Sequence, residues 1–110
     1  MAEAYDVGVA PHCPLGPLAL AACFQIAAST PNFVLQEMSI GIHYNTPDHD
    51  LLSYLADPGP FAVSDGTVAT PSGLGLGVTI NEAAVRDASK VPKTWRNPIW
   101  RNHDGSVTEW

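Results

Sequence analysis

Apolar and polar positions change their spacing twice within the first forty residues, and each change marks an element boundary. Val7–Ala10 is an unbroken apolar run with two β-branched residues. It is too uniform for a half-solvated antiparallel strand and suits a parallel strand covered on both faces. Pro11 ends its pairing. Leu18–Ala28 is rich in Ala and Leu and apolar nearly all round, which predicts a helix buried between layers. Pro14 and Pro17 fit the loop and the first helical turn, where a missing N–H costs nothing. Ser29-Thr30-Pro31-Asn32 closes the helix, and Phe33–Leu35 reads as a second apolar strand with Gln36-Glu37 as its polar end. Strand, helix and strand in about thirty residues make a βαβ unit with parallel strands and a right-handed crossover. Both strands then finish on one side of the sheet. His12 and Glu37 become neighbours there if the strands are adjacent.

The rest of the chain is more mixed. Met1–Asp6 reads as the tail of a helix, and Met38–Asn45 as a loop carrying His43, Tyr44 and Asn45. Thr46 as N-cap and Pro47 at the first helical position introduce a helix with Leu51, Leu52 and Leu55 at helical spacing, broken by Pro58-Gly59-Pro60. Phe61–Val63 and Thr67–Ala69 predict a hairpin around Ser64-Asp65-Gly66. Pro71–Gly77 is a Gly-rich turn, Val78–Ile80 a short strand, and Asn81 caps a helix running from Glu82 to about Ser89. The segment Val91–Trp110 holds all three Trp residues with little periodicity, and its WRNPIW run must pack on something because exposed Trp pairs are costly. No internal repeat is visible. The expected organisation is two parts: residues 1–45, a βαβ piece, and residues 46–110, a mixed appendage.

Composition narrows the classes. With 110 residues, 45% hydrophobic and 15% charged, the chain is of single-domain size and globular in type. Its net charge is -6, and every Lys and Arg lies between Arg86 and Arg101, so residues 1–85 offer no basic face for a phosphate backbone. Nucleic acid is therefore not an expected partner, whereas an acidic surface accommodates a divalent cation. The N-terminus lacks a basic start and an apolar core for a signal peptide, and Leu18–Ala28 falls short of the ~20 residues that span a bilayer. A cytoplasmic protein without a membrane partner is expected. Cys13 and Cys23, without CxxC spacing, read as reduced thiols, Cys23 simply packed.

Among candidate chemical groups His12 stands first. The ordinary role of a strand-end histidine is structural, but a His held between Pro11 and Pro14 suits a rigid general acid or base. Glu37 would ordinarily be a solvated carboxylate, yet it closes an apolar strand and so faces either a site or a desolvation cost. Cys13 is a poor partner for a Cys-His nucleophile, since adjacent residues of an extended segment point in opposite directions. His43, His49 and Asp50 match no metal-binding template. Gly73-Leu74-Gly75-Leu76-Gly77 lacks the Lys and the spacing of a phosphate loop and reads as a turn.

The segments AEAYDVGVAPHCPLGPLALAACFQIAASTPNFVLQE, GIHYN, GLGLGV and WRNPIWRNHDGSVTEW together resemble the C-terminal portion of the D-galactonate dehydratases, in the mandelate racemase group of the enolase superfamily. The resemblance covers the whole chain. It implies an α/β fold, the last strands and helices of a modified (β/α)7β barrel of TIM type, followed by a segment that completes an α+β capping domain. It further implies a Mg²⁺-dependent lyase acting on a small sugar acid, which loses an α-proton and its 3-hydroxyl as water to give a 2-keto-3-deoxy acid. His12 matches one of the family's two acid/base histidines, and Glu37 the residue that hydrogen-bonds the substrate carboxylate side and stabilises the intermediate. The three carboxylates that bind Mg²⁺, the second histidine and the Asp partner of His12 belong to upstream strands that this chain does not contain. Met1 matches an internal position of the family pattern, so a truncated or partial sequence, or a degenerate paralogue, is expected, with the full-length form a homo-oligomer. Two alternatives accompany this reading: a non-catalytic interaction module, and a dehydratase of another aldonate.

Overall fold

The computed structural model describes residues 1–39, 51–91 and 99–108. A single 3-10 turn, Ala2–Tyr5, opens the chain in place of a helix tail, and Asp6 in the left-handed region (φ 55°) turns it outward. Residues 7–13 and 32–37 then run side by side in parallel, as expected of a βαβ unit, joined by helix α1, Pro17–Ser29. The pairing centres on Val9 and Phe33: the Val9 N–H donates to the Asn32 carbonyl at 2.9 Å and the Val34 N–H to the Val9 carbonyl at 3.0 Å. Gly8 is what lets the two backbones close, because a Cβ there would run into the Val34 side chain.

Two expectations are corrected in this unit. Val7–Ala10 is not a covered strand: among the described residues it forms one ladder bridge, and Val7 stands 54% exposed, with Val34 of the second segment at 66%. A parallel strand is buried only when both faces of its sheet are covered, and the exposure of Val7 and Val34 shows that such cover is incomplete among the described residues. Helix α1 is likewise covered on one side alone. Pro17 starts it at the first helical position and Thr30, in extended backbone, stops it. Leu20, Ala21 and Phe24 are buried, while Leu18 and Ile26 remain exposed.

The buried side of α1 meets the second part of the chain. Cys13, Leu20, Ala21 and Phe24 form one core with Leu55 and Phe61, bordered by Met38, Leu52, Val68, Val78 and Ile80. Phe24 and Phe61 pack ring against ring, centroids 5.5 Å apart and tilted by 54°, a favourable aromatic geometry. The helix expected around Leu51–Leu55 is, in its described part, a 3-10 turn, Leu51–Tyr54. Its end cannot continue as α-helix because that backbone is engaged elsewhere: Leu55 bridges Ile80, the Ala56 N–H donates to Thr79 and the Asn81 N–H to Tyr54. A further 3-10 turn, Gly59–Phe61, takes Phe61 out of the predicted hairpin and into the core.

The hairpin itself is shorter than expected, β1 (Val63–Ser64) against β2 (Thr67–Val68), closed by Asp65 and Gly66 at φ 49° and 73°. Two positive φ values define the tight turn that Asp-Gly favours. The Gly-rich stretch is a turn, as expected. Helix α2, Glu82–Ala88, is capped by Asn81, whose side chain accepts the Ala84 N–H at 3.1 Å. In the last described segment Arg101 bridges Val107, and Trp100 is half exposed rather than enclosed. The expected helix start at Thr46-Pro47 and the remaining Trp residues lie outside the described residues.

Candidate functional site

His12 and Glu37 meet at the common end of the two parallel segments. Nδ1 of His12 lies 2.6 Å from Oε2 of Glu37, and the same oxygen accepts the backbone N–H of Cys13 at 3.1 Å. A carboxylate only accepts, so the proton of this contact sits on Nδ1. Nε2 is left as the free nitrogen of a ring whose side chain is 71% exposed, against 46% for Glu37. The pair is wet, and its attraction is correspondingly modest. Its value is orientation: one carboxylate oxygen fixes both the tautomer and the direction of the imidazole.

Why the two segments stay in register up to this point is a matter of side chains. Pro11 and Pro14 carry no N–H, so the backbone ladder that begins at Val9 cannot continue past them. Polar side chains of the second segment take over the orphaned carbonyls of the first. Asn32 Nδ2 donates to Val7 at 2.6 Å, Gln36 Nε2 to Pro11 at 3.0 Å and Ser39 Oγ to Pro14 at 3.2 Å. Sequence reasoning passed over these three residues. Their signal was present, since each lies 25 positions beyond the carbonyl it serves, which is also the separation of Glu37 from His12. Gln36 additionally bonds the Glu37 carbonyl at 2.8 Å, while its Oε1 is buried without a hydrogen-bond partner among the described residues.

Cys13 turns the opposite way from His12 and is 1% exposed in the core. Burial pushes its thiol above the ordinary range, opposed by the Leu15 N–H. A protonated, enclosed thiol pointing away from the imidazole is no nucleophile, in agreement with the alternation read from the sequence. A groove of about 460 Å³ between the end of α1, residues 33–38 and the β1–β2 hairpin is lined largely by apolar groups, Phe24, Phe33 and Leu35 among them. It does not include His12 or Glu37.

Among the described residues no group of three or more His, Cys, Asp or Glu could hold a metal ion. His12 and Glu37 supply one nitrogen and one carboxylate already engaged with each other, whereas Mg²⁺ takes an octahedron of oxygens. These residues do not form a magnesium site. His43, His49 and Asp50 lie outside the described residues. No described helix is long and apolar enough to cross a membrane.

A parallel strand–helix–strand unit with an imidazole and a carboxylate sharing one end is a fragment of α/β architecture, and its sequence identifies which one. The chain belongs to the enolase C-terminal domain-like family, whose pattern it matches over residues 1–84. Among curated proteins it is 56% identical over its full 110 residues to a D-galactonate dehydratase of Xanthomonas campestris pathovar campestris. It is 54% identical over the same length to proteins of that name from Xanthomonas axonopodis pathovar citri and Ralstonia pickettii. The resemblance drawn from the motifs is thus borne out. All 110 residues are covered in each case, but the chain spans only 28% of the length of these relatives.

Proposed function

We propose that this chain is the C-terminal part of a sugar-acid dehydratase converting D-galactonate to 2-dehydro-3-deoxy-D-galactonate and water. Residues 1–45 supply the last strand–helix–strand part of a (β/α)7β barrel, and residues 46–110 return to its capping domain. The observation that carries the reading is the His12–Glu37 pair at the shared end of two parallel segments, the side of an α/β sheet or barrel where active sites are built. His12 moves a proton through Nε2, and Glu37 holds Nδ1 so that Nε2 faces the substrate. The same carboxylate is expected to serve the substrate's carboxylate side through its other oxygen. The Mg²⁺ of such an enzyme takes its ligands from segments outside this chain, so the 110 residues alone do not turn over substrate. The complete protein is cytoplasmic and a homo-oligomer, with neither nucleic acid nor membrane as partner.

The test is a chimera in which this chain replaces the matching part of the Xanthomonas campestris relative, assayed with D-galactonate and with other aldonates. Turnover of D-galactonate is expected, falling by roughly 10²- to 10⁴-fold in His12→Asn, the usual worth of a positioned acid/base group. Activity that survives His12→Asn would sink the assignment. Activity on a different aldonate alone would keep the chemistry and change the substrate.

A second reading rests on Leu18 and Ile26 of α1, 51% and 57% exposed: the chain acts as a non-catalytic interaction module that docks through this face. A folded, dilute monomer in sedimentation would count against it.

A further inference from the structure

Asp65 and Asp104 are each followed by glycine and then by a hydroxyl residue, Thr67 or Ser106. Each pair turns the chain between short antiparallel pairings, Ser64 with Thr67 and Arg101 with Val107. Their surroundings differ. The Asp65 carboxylate and the Gly66 N–H take part in no hydrogen bond among the described residues, and both residues are exposed. No atom lies within 4 Å of the point where a Gly66 side chain would begin. At the other turn Oδ1 of Asp104 accepts the Ser106 N–H at 2.9 Å and the Ser106 hydroxyl at 2.6 Å, and the Gly105 N–H donates to the Asn102 carbonyl at 2.9 Å. We propose that Asp65-Gly66 is a site of covalent isomerisation to isoaspartate, a modification that the fold permits at this turn and suppresses at Asp104-Gly105.

The Gly66 nitrogen attacks the side-chain carboxyl carbon of Asp65 in its acid form. A C–N bond forms, the carboxyl hydroxyl leaves as water with the amide proton, and a succinimide ring closes. Water then adds to the former main-chain carbonyl of Asp65 and its bond to nitrogen breaks. The chain now runs through the Asp65 side chain, and the old main-chain carbon has become the free carboxylate. One water leaves and one enters. The positive φ values of Asp65 and Gly66, 49° and 73°, are those of a type I′ turn, and the type II′ turn keeps the positive φ at its first central residue. Rotation of the single peptide unit between the two residues therefore passes from one hairpin turn to the other with the strands still paired, and it swings the Gly66 nitrogen towards the Asp65 carboxyl. At Asp104 the same attack must first break the Gly105 and Ser106 hydrogen bonds. The Ser106 contacts also hold that carboxyl below the usual carboxylate range, and an ionised carboxylate has no hydroxyl to release. Isoaspartate adds one backbone carbon to a two-residue turn, so the modified hairpin loosens at the rim of the groove that Gly66 and Thr67 line. The inference does not depend on the catalytic reading.

The experiment ages the 110-residue chain at neutral pH, native and in urea, and follows isoaspartate in its peptides by electron-transfer fragmentation and by methyl transfer from S-adenosylmethionine with an isoaspartate-specific methyltransferase. Chymotryptic cleavage after Phe61 and Leu74 frees residues 62–74, and tryptic cleavage after Arg101 frees residues 102–110, each with a single Asp. In the native chain isoaspartate is expected to accumulate severalfold faster at Asp65 than at Asp104. Urea should bring the two rates together, because the local sequences are so alike. Asp65→Glu, whose longer side chain closes no such ring, should abolish the signal in residues 62–74. Asp65→Asn keeps a favoured hairpin turn and should reach the same succinimide faster, with loss of ammonia. Equal rates at Asp65 and Asp104 in the native chain would overturn the proposal, as would a ratio unchanged by urea. Isoaspartate at Asp65 in urea but none in the native chain would also overturn it, because the turn would then protect the site.

Discussion

Truncating Leu20 and His12 to alanine, one at a time, separates a packing residue from one proposed to move a proton. Leu20 is 3% exposed in the core shared by α1 and the 51–61 turns. Leu20→Ala removes three carbons from that core, roughly 2.4 kcal/mol at ~0.8 kcal/mol per buried carbon. The unfilled space adds ~24 cal/mol per Å³, which gives an expected loss of about 2 to 5 kcal/mol. A domain of this size has about 5 to 15 kcal/mol in all, so the change should be unmistakable. His12, with its side chain 71% exposed, has one exposed ionic contact to lose, and pairs of that kind contribute about 0.2 to 1 kcal/mol. Urea unfolding of the two variants beside the parent, with the slopes checked for constancy, measures both losses. Equal losses would refute the division of labour, since His12 would then be holding the fold rather than standing ready at its end.

Three further outcomes are expected. A double-mutant cycle of Phe24→Leu and Phe61→Leu should give a coupling of about 0.5 to 1.5 kcal/mol; a coupling near zero would mean that the two rings do not join the two parts of the chain. Nitrogen-15 spectra should find the neutral His12 ring protonated at Nδ1, and Glu37→Ala should move that proton towards Nε2; an unchanged tautomer would remove Glu37 from its positioning role. The raised Cys13 thiol makes stability pH-dependent in one direction. Between the ordinary thiol pKa and the raised folded one, the folded state keeps a proton that the unfolded state has lost, so stability falls as pH rises through that window. Cys13→Ala should flatten the fall relative to the parent, and an identical slope in both would contradict the burial of this thiol.

What was legible in the sequence was whatever depended on short-range rules. Helix α1 ran one residue past each expected end, because Pro17 and Thr30 act locally as start and stop. The meeting of His12 and Glu37 followed from parallel pairing, which puts both segment ends on one side without any knowledge of side chains. The rest depended on partners distant in the chain. Leu51–Tyr54 has apolar spacing suited to an α-helix, but pairing of Tyr54–Ala56 with Thr79–Asn81 claims the backbone that a longer helix needs. Phe61 looked like a strand residue until its ring found Phe24. Asn32, Gln36 and Ser39 looked like ordinary polar punctuation, and their service to Val7, Pro11 and Pro14 is visible only once the two segments lie side by side.

Gly8 bears no reactive atom, yet the clearance it leaves for Val34 sets how closely the two segments approach. A side chain there obliges the Val34 side chain to turn away or the two segments to part, on the same pair of segments that ends in the 2.6 Å contact between His12 and Glu37. In a library randomised along this stretch and selected for the dehydratase activity proposed above, position 8 would tolerate replacement less well than its lack of a reactive atom suggests. A map of tolerance alone would count it among the reactive residues, when its contribution is the absence of a methyl group.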